Sequence, residues 1–277
     1  MARGRGAAAQ ERDRTPLSMT NTSDRASIEQ ALAAAGCISP RDEADELLRA
    51  AAGDERTLAS MLERRIGGEP LPWITGSIRF CGLEVRVTPG VYVPRWQTEP
   101  LAWLAASLLP PGGVAVDLCT GAGAVAMVLA AAAPTARVLA TDVDPLAVAC
   151  ARRNGVEAYE SELDAPLPGG LAGVVDVLTA VPPYVPTAEV QFLPRDVRQH
   201  EPMRALDGGT DGTEVLAEIV RRSPRWLRSG GSLVLELGGE QAGVLGPALR
   251  EAGFDAPEVV RDAEGDPRGI VARFGTR

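Results

Sequence analysis

The sequence predicts an α/β protein whose main domain is a doubly wound, mostly parallel sheet. From about residue 95 onward, helix-type and strand-type apolar patterns alternate along the chain, as they do where crossover helices join parallel strands. A glycine-rich loop, CTGAGAVA, follows the first apolar strand of this region. Because ligands of open α/β sheets bind beyond the carboxyl ends of the strands, we expect a ligand site at that edge.

A small helical domain is predicted ahead of the sheet. Residues 1–22 mix basic, acidic and small residues without a continuous apolar run, so they fail as a secretory signal and predict a disordered tail. Residues 23–78 predict short helices, including one that Ser39 caps and that has Pro40 at its first position. The helical spacing is carried by Ala44, Leu47, Leu48 and Ala51.

A β-hairpin over residues 79–94 is predicted to join the helical domain to the main domain, residues 95–277. Apolar residues alternate with polar ones at Leu83, Val85 and Val87, which marks a half-buried strand. Pro89-Gly90 then predicts the turn into a second strand at 91–93. The elements predicted next are a helix at 97–109, a strand at 114–118, a helix at 122–133, a strand at 137–141, a helix at 145–153, a strand at 174–179, a helix at 211–228, a strand at 232–237, a helix at 239–251 and two final short strands.

Composition excludes several functional classes. The formal net charge of −9 over 277 residues repels polyanions, so no direct nucleic-acid partner is expected. No run of 18 apolar residues is present, so the sequence predicts no membrane-spanning helix. The four cysteines lack paired spacing, which favours reduced thiols in a cytoplasmic protein and no metal site. The single histidine, His200, is expected to be an ordinary surface or cap residue, and the protein is expected to be a monomer.

The glycine loop and the acid after the next strand together predict a nucleoside-bearing cofactor. Gly121 and Gly123 let the backbone turn tightly and approach a ligand at the N-terminus of the following helix. Asp142 ends the next predicted strand, where a carboxylate accepts hydrogen bonds from both hydroxyls of a ribose.

The identity of that cofactor stays open at this point. Gly121, Gly123 and Ala126 also fit the G-x-G-x-x-G/A dinucleotide fingerprint, so a nicotinamide cofactor is one candidate. Asp117, four residues before Gly121, adds negative charge that disfavours a pyrophosphate and favours the cationic sulfonium and amine of S-adenosyl-L-methionine. A tight turn without a ligand is the third interpretation.

A stiff corner, VPPY at 181–184, follows the strand near 174–179. Pro182 and Pro183 fix φ and remove two N–H donors, which leaves carbonyl groups that can only accept hydrogen bonds. Tyr184 can stack on a planar group, so the corner suits a flat NH₂ group held in line with a methyl donor. A proline-rich loop that merely leaves the strand is the simpler interpretation.

Seven segments of the chain carry a further pattern: ERRIGGEPLPWITG, FCGLEVRVTPGVYVPR, DLCTGAGAVA, ATDVDPLAVACARRN, PPYVPTAE, EPMRALDGGTDG and LVLELGGEQ. They resemble the methyltransferases that modify the glutamine of the GGQ motif in peptide chain release factors, whose signature is NPPY. The resemblance runs from about residue 40 to the C-terminus. The glycine loop and PPY recur in many amino-methyltransferases, whereas the helical lead-in and the EP…ALDGG…DG segment are more specific to this family.

This resemblance implies a seven-stranded Rossmann-like methyltransferase sheet, S-adenosyl-L-methionine as cofactor, no metal, and N-terminal helices that grip a protein substrate. Asp142 would hold the ribose, Glu162 and Leu163 would contact adenine, and the loop from Cys119 to Gly123 would line the methionine part. The implied cofactor contacts are Asp117, Cys119, Thr120, Gly121, Ala122, Gly123, Asp142, Glu162, Leu163 and Val181, and the implied catalytic platform is Pro182, Pro183 and Tyr184.

The chain departs from the family pattern at three positions. Val181 stands where the family has asparagine, so one acceptor for the substrate amide is missing. An unmade hydrogen bond in a dry site costs roughly 1–3 kcal/mol, or about one to two decades of rate. Cys119 replaces the first glycine of the loop and is expected to need only an ordinary backbone conformation. Gln97 stands where many relatives carry an acid.

Three functional hypotheses follow from the resemblance and its departures. The first is an S-adenosyl-L-methionine-dependent N-methyltransferase of the release-factor glutamine type. The second keeps the chemistry but takes a small-molecule amine or amide, such as an amino acid or a guanidine compound, as acceptor. The third is a protein that binds the cofactor without turnover and docks a partner through its helical domain.

Overall fold

The chain forms two compact units, one ending at Ile66 and one beginning at Gly67. The computed structural model describes residues 24–163, 167 and 170–275, so the tail predicted at 1–22 lies outside the described residues. The helical domain was expected to extend to residue 78, but Trp73 packs in the core of the second unit. Its indole Nε1 donates a hydrogen bond to the carbonyl of Val91 at 3.0 Å.

Between residues 24 and 66, the first unit contains three amphipathic helices: α1 (Arg25–Ala34), α2 (Pro40–Ala51) and α3 (Glu55–Ile66). A buried ion pair between Arg65 and Glu43 joins α3 to α2 through two N–H to oxygen contacts of 2.6 and 3.3 Å. Pro40 begins α2 as predicted, but the predicted cap by Ser39 is wrong, because its side chain makes no capping bond. The backbone at Ser39 has ψ 64° and lacks the extended conformation that an N-cap side chain needs.

The second unit is a seven-stranded sheet with helices on both faces, which confirms the predicted fold class. Its strand order is β5-β4-β3-β6-β7-β9-β8. The first five strands in this order are parallel to one another, and β9 is antiparallel to both of its neighbours, β7 and β8. The elements are α4 (Leu71–Thr75), β1 (Ser77–Phe80), β2 (Leu83–Arg86), α5 (Glu99–Leu108), β3 (Val114–Leu118), α6 (Ala124–Ala132), β4 (Arg137–Asp142), α7 (Pro145–Arg153), β5 (Glu157–Glu160), β6 (Val175–Ala180), α8 (Arg195–His200), α9 (Glu214–Arg222), β7 (Leu227–Glu236), α10 (Gln241–Glu251), β8 (Glu258–Arg261) and β9 (Pro267–Arg273).

The predicted β-hairpin is present, but its turn was predicted at the wrong place. Strands β1 and β2 pair directly, and Cys81 and Gly82 connect them with φ of +50° and +78°. Two central residues with positive φ match the right-handed twist of a two-residue hairpin. Pro89-Gly90 does form a turn, closed by the Val91 N–H to Thr88 carbonyl bond of 3.0 Å, but no strand follows it.

Other differences from the predicted elements have local causes. Strand β5 was not predicted because its four residues, EAYE, include two charged ones. The helix expected at 211–228 begins only at Glu214, since Gly212 has a φ of +74°. It ends at Arg222, where a short 3₁₀ turn containing Pro224 follows.

Apolar side chains cover both faces of the sheet. Val177 and Val234 pack in one core with Phe80, whereas Leu178 and Leu235 pack in a second core under α9 and α10. This alternation follows from the period of two along a strand. Throughout the described ranges, every helix is too short or too polar to cross a bilayer.

Candidate active site

A cavity of about 410 Å³ opens at the carboxyl ends of β3, β4 and β6. This is the edge at which the sequence predicted a ligand site. Of the predicted site residues, ten line the cavity: Asp117, Cys119, Thr120, Gly121, Ala122, Asp142, Glu162, Leu163, Val181 and Pro183. The other three, Gly123, Pro182 and Tyr184, are not among its lining residues.

Gly121 and Gly123 of the loop are glycines for different structural reasons. Gly121 has φ +55°, and a Cβ built there would meet open space, so this position leaves its backbone accessible from the cavity. Gly123 has φ +85°, and a Cβ there would lie 3.0 Å from Val156 and 3.1 Å from Ala151. It therefore permits the close packing of α6 against its neighbours and does not form the cavity wall.

Cys119 adopts the left-handed conformation, with φ +53°, so the expectation of an ordinary backbone there is wrong. The loop turns sharply as it leaves β3, and a side chain in this conformation costs about 1 kcal/mol or more. Burial and the charges of Asp142 and Asp117 raise the pKa of the Cys119 thiol far above its usual range. The thiol is therefore protonated and unsuited to act as a nucleophile.

Two carboxylates stand at the ends of neighbouring strands, and both are fixed by hydrogen bonds. Asp117 is 1% exposed and accepts hydroxyl donors from Thr120 at 2.6 Å and Thr179 at 2.7 Å. Asp142 accepts the backbone N–H groups of Gly121 at 2.8 Å and Asp144 at 2.9 Å.

Burial raises the pKa of Asp117 to about 6, against the lowering effect of the two threonine hydroxyls, and the charge of Asp142 raises it further. Burial likewise raises the pKa of Asp142, and the N–H groups of Asp144 and Gly121 oppose that rise. Within the described ranges neither carboxylate forms an ion pair with an arginine. This wall of the cavity consequently favours a positively charged ligand.

The segment that follows β5 contributes Ser161, Glu162 and Leu163 to the cavity wall. The carbonyl of Leu163 accepts the hydroxyl of Thr141 at 2.5 Å, which ties this segment to β4. Ser161 was not predicted as a site residue. Its buried Oγ has no hydrogen-bond partner among the described residues, so it is available to a ligand.

The VPPY corner presents only part of itself to the cavity. Val181 and Pro183 line the wall, whereas the Tyr184 ring packs against the second core and its hydroxyl donates to Oε1 of Glu236 at 3.0 Å. The carbonyl oxygen of Pro183 lies against the backbone of Gly208, where a Cβ would be only 2.6 Å away. Of the four corner residues, only Val181 and Pro183 therefore contribute to the cavity wall.

The ALDGGTDG segment holds the corner from behind. Val185 and Gly208 anchor the two segments through the bonds Val185 N–H to Leu206 O at 3.0 Å and Gly208 N–H to Val185 O at 2.9 Å. Gly212 packs so closely that a Cβ would lie 2.1 Å from the Tyr184 carbonyl oxygen. Gly208 and Gly212 therefore let the proline corner pack on them, whereas Gly209 makes room for the side chain of Glu214.

Similarity to known proteins identifies the family. Residues 83–181 match the family described as Methyltransferase small domain. The chain is 36% identical over 221 residues to the release factor glutamine methyltransferase of Geobacter sulfurreducens, covering 78% of this chain and 77% of that protein. It is 39% identical over 236 residues to the enzyme of that name from Mycolicibacterium smegmatis, covering 76% and 83%, and 36% identical over 266 residues to that from Mycobacterium leprae, covering 86% and 91%.

The chain belongs to the release factor glutamine methyltransferase family. Within the described residues, no cluster of three His, Cys, Asp or Glu side chains is placed to hold a metal ion. His200 lies in the last turn of α8, with its ring roughly perpendicular to that of Trp73 and 6.3 Å between the ring centroids, and it does not line the cavity.

A cluster on the wall of this methyltransferase cavity was missed from the sequence. Arg95, a lining residue, forms an ion pair with the buried carboxylate of Glu201 and lies over the ring of Tyr92 at 4.9 Å. Glu201 also accepts the Val93 N–H at 3.2 Å. The signal was present in the quoted segments VYVPR and EPMR, but 106 residues separate the partners.

The strain at Cys119 gives a prediction that distinguishes two substitutions in this methyltransferase. The free energy of unfolding of Cys119→Gly is expected to be about 1 kcal/mol higher than that of Cys119→Ala, since glycine adopts positive φ without cost and alanine does not. Urea denaturation of both variants measures the difference. Cys150, buried within α7, is the matched control: there the alanine variant is expected to be the more stable one. Equal stability of the two Cys119 variants would contradict the strain.

Proposed function

We propose that the protein transfers the methyl group of S-adenosyl-L-methionine to the side-chain amide nitrogen of the glutamine in the GGQ motif of a peptide chain release factor. The observation that carries the proposal is the pair of fixed carboxylates, Asp117 and Asp142, on the wall of a cavity of about 410 Å³. That volume is within the range of small-molecule sites, about 300–1,000 Å³. The shared family name of the curated relatives supports the substrate.

The residues present fit this cofactor. Each oxygen of Asp142 accepts one backbone N–H, which leaves one lone-pair site per oxygen for a ribose hydroxyl. Gly121 leaves its backbone open to the methionine part, and Glu162 and Leu163 lie where adenine would bind. Asp117 supplies negative charge toward the sulfonium and the amine. Bound S-adenosyl-L-methionine would supply an electrophilic methyl group on a positively charged sulfur.

The chain's own contribution to the reaction is orientation of the substrate amide. The corner of Val181, Pro182 and Pro183 is rigid and would hold the amide plane so that the nitrogen lone pair points along the line of transfer. The helical unit would dock the protein substrate. Release factors act in translation, so the proposed reaction takes place in the cytoplasm.

A direct assay tests this function. The purified chain is incubated with methyl-labelled cofactor and a release factor, with a second release factor whose GGQ glutamine is replaced by alanine as control. We expect label on the first protein and at most background on the second. Label on small amines alone would favour the small-molecule acceptor, and cofactor binding without any transfer would favour the protein that lacks turnover.

Restoring the family asparagine is expected to raise the rate. Val181→Asn adds one acceptor for the substrate amide and should increase kcat on the release factor by roughly tenfold or more, since one hydrogen bond made in the transition state is worth about 1–3 kcal/mol. Val181→Leu, which has similar bulk and no acceptor, is the matched control and should give no increase. An unchanged rate in Val181→Asn would show that position 181 does not face the amide.

A further inference from the structure

Glu236, the last residue of β7, is a buried carboxylate with one oxygen unused. The side chain is 3% exposed, and its Oε1 accepts the Tyr184 hydroxyl at 3.0 Å. Its Oε2 makes no hydrogen bond of acceptable geometry among the described residues, although the Thr98 hydroxyl lies close enough to lower the pKa of the carboxyl. Glu236 is not itself a lining residue, but it lies directly behind the part of the cavity wall formed by Tyr92, Arg95 and Thr98. Since an unpaired buried carboxylate oxygen costs free energy, its retention behind that wall indicates that it has a partner during the reaction.

The strand register places Glu236 beside the position that lacks an acceptor. Strands β6 and β7 are parallel, with Ala180 opposite Leu235, so the next positions along are Val181 and Glu236. Neighbouring strands lie about 4.8 Å apart, and side chains at opposite positions share a face. Val177 and Val234 identify that face as the one in the first core, on which Thr179 also binds Asp117.

The groups around Glu236 belong largely to the cavity wall. Burial raises the pKa of the Glu236 carboxyl. The groups that face it and lower that pKa are the hydroxyls of Thr98 and Tyr184 and the guanidinium groups of Arg268 and Arg95, and the phenol of Tyr92 also lies within electrostatic reach. Three of these residues, Tyr92, Arg95 and Thr98, line the cavity.

We propose that Glu236 is a catalytic residue, whose Oε2 accepts a hydrogen bond from the substrate amide NH₂ and then takes its proton. The role rests on the proposed methyl transfer to glutamine. As the amide nitrogen forms its bond to the methyl carbon, the carbon–sulfur bond breaks and its electron pair returns to sulfur as a neutral thioether. The N–H proton passes to Oε2, which leaves a neutral N-methyl amide and a neutral carboxylic acid.

Glu236→Gln tests this role, because it keeps the size of the side chain and an acceptor for Tyr184 but places an NH₂ group where Oε2 accepts. We expect kcat on the release factor to fall at least 100-fold, with the Kd for the cofactor changed less than twofold and the melting temperature preserved. Glu240→Gln, an exposed glutamate four residues on, is the matched control and should keep the wild-type rate.

Three further readouts separate proton transfer from a merely structural role. At saturating cofactor and substrate, wild-type kcat should fall as pH is lowered through the pKa of Glu236, and Glu236→Gln should lose that dependence. Tyr184→Phe should lower kcat less than tenfold, since the Glu236 carboxylate remains. Adding Val181→Asn to Glu236→Gln should raise kcat at least fivefold above that of Glu236→Gln alone.

The outcomes distinguish this role from the proposed function. A wild-type enzyme that never labels the release factor would overturn both. If the wild type transfers methyl groups and the kcat of Glu236→Gln is within threefold of wild type, only the role of Glu236 is overturned. The same holds if Tyr184→Phe loses as much kcat as Glu236→Gln, because Glu236 would then act only as a support for the tyrosine.

Discussion

Gly212→Ala is expected to abolish methyl transfer and to lower the stability of the second unit by about 3 kcal/mol or more. The alanine Cβ would lie 2.1 Å from the Tyr184 carbonyl oxygen and 2.5 Å from Nε2 of Gln241. The backbone φ of +74° adds strain that a side chain cannot relieve. The proline corner must therefore move, and the substrate position moves with it. Thermal unfolding and the release-factor assay measure the two effects.

Gly243→Ala is the control for that substitution. Gly243 lies in α10, and a Cβ there would meet nothing within 4 Å, so stability should be unchanged or slightly higher and activity should be retained. A Gly212→Ala variant that keeps full activity and the wild-type melting temperature would show that the corner tolerates displacement.

Asp142→Ala is expected to weaken binding of S-adenosyl-L-methionine at least 100-fold. The carboxylate would lose its hydrogen bonds to the ribose, each worth about 1.5–3 kcal/mol to a charged group, and two at the lower value amount to roughly two decades in Kd. The N–H groups of Gly121 and Asp144 would also lose their acceptor, which loosens the glycine loop. Calorimetric titration with the cofactor measures the change.

Glu157→Ala provides the comparison for the loss of a carboxylate. Glu157 begins β5, pairs on the surface with Arg137 and does not line the cavity, so its removal should leave the cofactor Kd within twofold of wild type. If Asp142→Ala changed the Kd less than threefold, the ribose would have to bind elsewhere.

The part of the site that could be predicted from the sequence is the part that topology brings together. In a parallel sheet the carboxyl ends of neighbouring strands meet at one edge, so a motif after each strand is enough to place the glycine loop, Asp142 and Val181 around one cavity. The strands 114–118 and 137–141 were predicted nearly residue for residue, because both are apolar runs bounded by clear turn signals.

The part that was missed depends on pairs of distant residues or on local backbone angles. Glu236 lies at the end of β7, which was predicted, and Ser161 follows β5, which was not. In both cases nothing in the local sequence indicates that a side-chain oxygen is buried and unpaired. The ion pair between Arg95 and Glu201 joins segments whose proximity only the folded sheet reveals. The positive φ of Cys119 had a signal in the sequence, since the family places glycine there.

Strand β9 lies between β7 and β8 in the sheet, and its Gly269 is paired with Glu236. During co-translational folding, the strand that carries this glutamate therefore lacks its neighbour until residues 267–273 have left the ribosome tunnel. A nascent chain halted before residue 267 can form the glycine loop but cannot complete the catalytic edge. Assembly of the sheet around Glu236 is thereby tied to synthesis of residues 267–273.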